Sequence, residues 1–213
     1  MKKCIIVGSV KTESFNEKEK APNALYIAAD GGYEQMKSRG VTPDVLLGDF
    51  DSLDREAEFP KGAEIIKYPI EKDDTDTLLA VKEAIKRGCE EITLYGALGG
   101  ERFDHSIATL QTLTYAAACG VRITAVGESE GKPFYVTAIK DGEIEFPPEY
   151  EGTLSVMCAD GYCQGVTVEN AKYCVENAIM TPSFPIGVSN SFIKGKTARV
   201  SVKKGTLWVF YGV

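Results

Sequence analysis

The sequence predicts an α/β fold: an N-terminal, mainly parallel sheet flanked by helices, followed by a smaller all-β sandwich or barrel. Three observations carry that expectation. Residues 1–127 alternate short apolar runs with segments of helical period. From residue 128 onward the helical period gives way to near period-2 alternation with glycine punctuation. Nine of the 11 aspartates fall between residues 30 and 104, so the acidic chemistry belongs to the first part.

The first strands are "CIIVG" (4–8), "ALYIAAD" (24–30) and "VLLGD" (45–49). "AEIIKYP" (63–69), "EITLYGA" (91–97) and "VRITAVG" (121–127) continue the series. Runs apolar at every position suit strands buried on both faces, as in a parallel sheet. Helices are expected over 32–40, 74–88 and 104–120. In the second of these, Leu78, Leu79, Val81, Ala84 and Ile85 form one apolar stripe, and Arg87-Gly88 supplies the stop. The polar turn "GESEGKP" (127–133) marks the change of pattern, giving expected domains 1–127 and 128–213. "PFYVTAI", "GEIEFPP", "GTLSVMCAD", "QGVTVEN", "TARVSVKKG" and "TLWVFYGV" then read as antiparallel strands.

A net charge of −7 argues against a nucleic-acid or anionic-membrane surface. No apolar run approaches the roughly 18 residues of a spanning helix. The six cysteines contain no C-x-x-C pair, so free thiols in a cytoplasmic protein are expected.

The aspartates follow a placement rule. Asp30 ends a strand, Asp49 and Asp51 follow the next, and Asp73, Asp74 and Asp76 open the second helix. Asp104 opens the third, after "GALGGERF". Ligands of open α/β sheets bind beyond the carboxyl ends of the strands, so these loops have a common meeting place. Asp49 and Asp51, at i and i+2 of an extended segment, point the same way. Two charges about 4 Å apart repel by roughly 4 kcal/mol at an effective dielectric near 20. A hard dication such as Mg2+, taking one or two carboxylates plus phosphate oxygens, removes that cost. Singly, Asp73, Asp74 and Asp104 also suit helix caps, and "GDFDS" suits a turn.

"GALGGERFDH" (96–105) is a glycine-rich turn between strand and helix, with free amides for an anion and Arg102 to grip a phosphate. His105, the one histidine, either touches phosphate or packs. "NSFIKGKT" lacks the first glycine and the strand–loop–helix setting of a phosphate loop.

"ADGG" (29–32), "PDVLLGDFDS" (43–52), "EKDDTD" (71–76), "GALGGERFDH" and "GVSN" (187–190) occur in the order and spacing of the thiamine pyrophosphokinases, and the chain resembles that family over nearly its whole length. The resemblance implies transfer of the pyrophosphoryl group of ATP to the hydroxyl of thiamine, giving thiamine diphosphate and AMP. It also implies a homodimer with active sites at the subunit interface. By position, Asp30, Asp49, Asp51 and Asp76 resemble the magnesium ligands. Gly31, Gly32, Ser52, Thr75, Gly99 and Gly100 resemble ATP-site residues, together with Arg102, Asp104 and His105. Lys72, Asp73, Ser189 and Asn190 fall where the family approaches thiamine. Lys72 stands where some members carry glutamine; beside a cationic substrate an ammonium is unfavourable, so it is expected to turn toward phosphate.

Asp73, Asp76, Arg102 and Asp104 are the expected catalytic set, with Asp73 or Asp104 taking the alcohol proton. Trp208 either stacks on thiamine's rings or packs as a strand residue. Pyrophosphoryl transfer to a pterin alcohol and a non-catalytic nucleotide- or thiamine-binding sensor are the competing readings.

Overall fold

The computed structural model describes residues 2–17, 20–50 and 59–212. The chain divides into two compact units, residues 1–112 with 125–131, and residues 113–124 with 132–213.

In the first unit, β1 (Lys3–Val7), β2 (Ala24–Ala29), β3 (Val45–Gly48), β4 (Glu64–Lys67) and β5 (Glu91–Tyr95) form a parallel sheet in the order β5-β1-β2-β3-β4. Its helices are α1 (Gly32–Ser38), α2 (Asp76–Lys86) and the opening turns of α3 (Phe103–Ala118). Tyr26 and Ala28 of β2 cluster with Tyr33 and Met36 of α1, while the alternate residues Ile27 and Ala29 are buried on the other face. At β2 and β3 both faces of the sheet are covered, which is why these strands read as unbroken apolar runs, while the edge strand β4 is largely exposed. Truncating a fully buried core residue such as Met36 to alanine would cost about 2–5 kcal/mol.

The register positions the site. Val7 lies level with Ala28 and Tyr95, and Ala29 level with Leu47. The turns after β1, β2, β3 and β5 therefore leave the sheet side by side. Backbone bonds continue beyond the strands: Gly8 N donates to Tyr95 O at 2.8 Å, and Asp30 N to Leu47 O at 2.8 Å.

Helix α2 starts at Asp76, not at residue 74 as its sequence suggests. Thr75 is the N-cap, its hydroxyl accepting from Leu78 N at 3.2 Å. Asp73 and Asp74 thus precede the helix, and Asp74 instead pairs with Lys82 at 2.6 Å.

The chain changes unit within α3, again within β6 (Arg122–Ser129) and once more just after it. In the second unit β7 (Lys132–Lys140), β8 (Glu143–Phe146), β9 (Thr153–Cys158), β10 (Cys163–Glu169) and β11 (Val175–Met180) are followed by β12 (Asn190–Ser191), β13 (Ala198–Ser201) and β14 (Thr206–Gly212). Strands β12-β9-β14-β7 make one antiparallel set and β11-β10-β13-β8 the other. Leu154, Val156, Leu207, Val209 and Tyr211 of the first set share a core with Val166, Val168 and Val200 of the second. Phe146 sits edge-on to Tyr211, ring centroids 4.9 Å apart. Trp208 alternates with these residues and faces away from that core, where its indole N–H donates to the Thr114 hydroxyl at 2.9 Å. β11 and β12 are additions to the strands read from sequence.

Candidate functional site

A cavity of about 710 Å³ opens in the first unit, where the strand ends of the sheet meet the N-termini of α2 and α3. Asp30, Thr75, Asp76, Gly99, Gly100, Arg102 and His105 all line it. Glu101, Thr77 and Thr109 contribute as well, and so does the turn after β1, Ser9 to Lys11, which carries no recognisable motif. The rule that strand ends carry ligands, applied to "CIIVG" as it was to the later strands, points to that turn.

Asp30 takes a positive φ of 49° at the end of β2. Gly48, at φ 153°, makes room for it: a Cβ on Gly48 would lie 3.2 Å from the Asp30 Cα. The two acid-bearing strand ends therefore approach more closely than side chains would permit. Gly31 is the N-cap of α1, and Gly32 is buried in its first turn against the Val7 carbonyl.

Beside the cavity, Lys72 bridges two carboxylates. Its Nζ lies 2.8 Å from Asp49 Oδ2 and 3.0 Å from Asp76 Oδ1, with the Lys72 and Asp49 side chains only 12% and 13% exposed. Desolvation would lower the lysine, but the hydrogen bond to Asp49 and the charges of Asp49 and Asp76 outweigh it and hold the ammonium above its ordinary value. The Asp76 contact is an ion pair without hydrogen-bond alignment, so its buried Oδ1 has no hydrogen-bond partner. An ammonium seated between two carboxylates, one oxygen of which lacks a hydrogen bond, marks a place built for positive charge.

Among the described residues, no three acidic, histidine or cysteine side chains group tightly enough to hold a metal by themselves. Two carboxylates suffice for a cation that takes its remaining ligands from water and phosphate, so the donor set fits a magnesium-like ion. Asp51 and Ser52 lie outside the described residues.

At the glycine-rich turn, the Ser106 hydroxyl accepts from Gly99 N at 2.9 Å, tying the turn to α3. Arg102 Nη2 donates to Asp104 Oδ2 at 2.9 Å, both side chains about two-thirds exposed at 68% and 67%. That bond, with the guanidinium charge, holds the Asp104 carboxyl below the usual carboxylate range. Asp73 is exposed in the loop entering α2.

Ser189 and Asn190 belong to the second unit. Ser189 sits at φ 65° with its N–H on the Ser155 hydroxyl at 3.1 Å. The Asn190 carboxamide is buried and committed to Tyr173, accepting from its N–H at 2.9 Å and donating to its carbonyl at 2.7 Å. It shapes the segment that presents Ser189.

A parallel sheet whose strand ends meet a nucleotide-sized, carboxylate-edged cavity, followed by an antiparallel β unit, is an arrangement suited to an enzyme that transfers phosphoryl or pyrophosphoryl groups from a nucleotide. Residues 17–125 match the family model "Thiamin pyrophosphokinase, catalytic domain", and residues 142–207 match "Thiamin pyrophosphokinase, vitamin B1 binding domain". The chain belongs to the thiamin pyrophosphokinase family. It is 25% identical over 189 residues to the thiamine pyrophosphokinase of Bacillus subtilis, covering 87% of this chain and 86% of the relative.

The crystal structure of thiamine pyrophosphokinase from Bacillus subtilis superimposes with a TM-score of 0.82 at 21% identity, covering 100% of this chain and 99% of that one. Thiamin pyrophosphokinase from Candida albicans gives 0.74 at 14% identity, covering 99% and 90%. The likeness of fold thus persists where little identity remains. Membership makes the chain a thiamine diphosphokinase with ATP as co-substrate; pterin transfer and the sensor reading are not favoured. Among the described residues no helix is long and apolar enough to cross a membrane.

Proposed function

We propose that the cavity of the first unit is where ATP delivers its pyrophosphoryl group to the hydroxyethyl oxygen of thiamine, releasing AMP. The observation that carries this assignment is the convergence of Asp30, Asp76, the Gly99-Gly100 turn and Arg102 on one nucleotide-sized space.

Asp49 and Asp76, with Asp30 and Asp51, would hold magnesium, the ion favoured by oxygen ligands shared with phosphates. When bound, it would neutralise phosphate charge and orient the transferred group. Lys72 occupies the Asp49–Asp76 seat and must leave it, so its ammonium is directed to phosphate rather than to cationic thiamine. Gly100, in the turn that the Gly99–Ser106 bond ties to α3, and the N-terminus of α3 favour phosphate oxygens through their amides. His105 lines the same wall. Arg102 is exposed enough to leave Asp104 and follow charge developing on the transferred group.

As the thiamine oxygen bonds to the β-phosphorus, the bond from that phosphorus to the α,β-bridging oxygen breaks and AMP departs. The alcohol proton goes late to a carboxylate. Asp73, exposed in the loop entering α2, and Asp104 are the two candidates for it.

We further propose a homodimer in which thiamine, held through Ser189 of one copy, meets the ATP site of the other. Four large apolar side chains on the second unit, Ile179, Phe184, Ile186 and Val188, are 67%, 65%, 63% and 48% exposed, which supports a partner surface there. Sedimentation at twice the monomer mass is expected. Six free cysteines and dependence on ATP favour the cytoplasm.

The reaction is tested with ATP labelled on its β-phosphate, thiamine and magnesium. Label should pass to thiamine with AMP as the nucleotide product. ADP as the sole nucleotide product, or equal transfer to a hydroxymethyl pterin, would overturn the assignment.

A further inference from the structure

The turn after β1 is held with unusual completeness. Gln35 of α1 is buried, and its Nε2 donates to Gly8 O at 2.6 Å and to Val10 O at 2.9 Å. Its Oε1 accepts from Thr12 N at 3.1 Å, so both amide hydrogens and the carbonyl are engaged with one short stretch of backbone. The far side of the turn is fastened to Glu128. That carboxylate accepts from Thr12 Oγ1 at 3.1 Å and from Glu13 N at 3.0 Å. Arg39 Nη2 adds a bond to Thr12 O at 2.9 Å. Gly96, at φ 64°, completes the fit, because a Cβ there would fall 2.8 Å from Val10 O and 2.9 Å from Gln35 Nε2.

What this clamp holds in place is a cation. Lys11 lines the cavity, its side chain is exposed, and it has no hydrogen-bond or ion-pair partner among the described residues. The other strong cation on the cavity wall, Arg102, is already engaged by Asp104. A surface lysine on a mobile loop would be an ordinary solvated charge. Here the backbone that carries Lys11 is fixed at Gly8, Val10, Thr12 and Glu13, so its charge is aimed without further ordering of the chain.

We propose that Lys11 is a phosphate contact for the nucleotide and that Gln35 is the positioning residue that sets it. The inference rests on reading the cavity as the ATP site. An ammonium with three donors needs no particular phosphate geometry, which suits a contact to a triphosphate still in motion.

The test measures binding of α,β-methylene ATP and of adenosine by calorimetry, with steady-state KM values, in Lys11→Met, Lys11→Arg and Gln35→Glu. Lys11→Met should weaken the ATP analogue about tenfold and flatten its salt dependence, while adenosine binding is unchanged. Lys11→Arg should restore most of the loss. Gln35→Glu sets a carboxylate oxygen against two carbonyls and should raise KM for ATP several-fold, with KM for thiamine unmoved. A purely structural Gln35 would instead lower the melting temperature and leave KM alone.

Unchanged analogue binding in Lys11→Met, or parallel loss of analogue and adenosine, would overturn the proposal. Lys11 is exposed, so its variants remain informative even if Gln35→Glu fails to fold. Wild-type protein that binds no ATP analogue would overturn the ATP-site reading itself, an outcome distinct from a Lys11 variant that behaves as wild type.

Discussion

Two ion pairs near the cavity differ in what surrounds them. Lys72 with Asp49 and Asp76 is largely withdrawn from solvent, whereas Arg102 with Asp104 lies open on the opposite turn. The first replaces water by protein at a place where a dication is expected, so exchanging partners there exchanges one desolvated charge for another. The second is screened and separates at little cost. On the proposed function both arrangements are useful: a fixed anionic seat would hold the metal, and a separable cation would follow the charge as it moves.

The largest expected effect breaks the fixed side. Asp76→Asn should lower the rate of AMP release by about 10²–10³-fold, the scale seen when one preorganised charge contact is removed from a transition state. A loss under threefold would remove Asp76 from the metal seat.

Lys72→Met leaves Asp49 and Asp76 facing each other without a cation. In chelator the variant should be less stable by about 1–2 kcal/mol, less than for a fully buried pair because the seat opens to solvent. Magnesium should return more stability to the variant than to the wild type, read from melting curves with and without the ion. Equal shifts would mean that lysine and metal do not share the seat.

On the open side, Arg102→Gln should lower kcat about tenfold or more with no measurable change in melting temperature. A drop in stability would make the Arg102–Asp104 pair structural.

The smallest effect concerns Glu128, held below the ordinary carboxylate range by the Glu13 amide first and by Thr12 and Ser14 next. A depressed carboxylate contributes stability above its unfolded pKa and loses it as pH falls through the folded one. The melting difference between wild type and Glu128→Gln should therefore be constant near neutrality and shrink on acidification. A difference that grows toward acid would contradict the assignment.

The first sheet was readable because burial on both faces leaves unbroken apolar runs such as "ALYIAA". β11 was not, since Glu176 and Asn177 interrupt it and its register against β10 shifts twice. The start of α2 is displaced from its sequence reading because Asp73 and Asp74 both suit a cap that Thr75 takes. For the site, the acidic and glycine-rich strings were legible as motifs. The Lys72–Asp49 pair spans 23 residues and follows from tertiary approach alone. Lys11 was hidden for a related reason: its surroundings are made by Gln35, Gly96 and Glu128, none adjacent to it in the chain.

The lysine between Asp49 and Asp76 also bears on how the protein is made. Many small metallo-domains fold only once their ion arrives, because the free energy of binding the ion is what drives folding. On the proposed reading of the Asp49–Asp76 seat, Lys72 is a provisional counter-ion, so synthesis and folding would not wait on the supply of metal. A newly made molecule would then stand complete and idle, with loading the last step of its maturation rather than a condition for it.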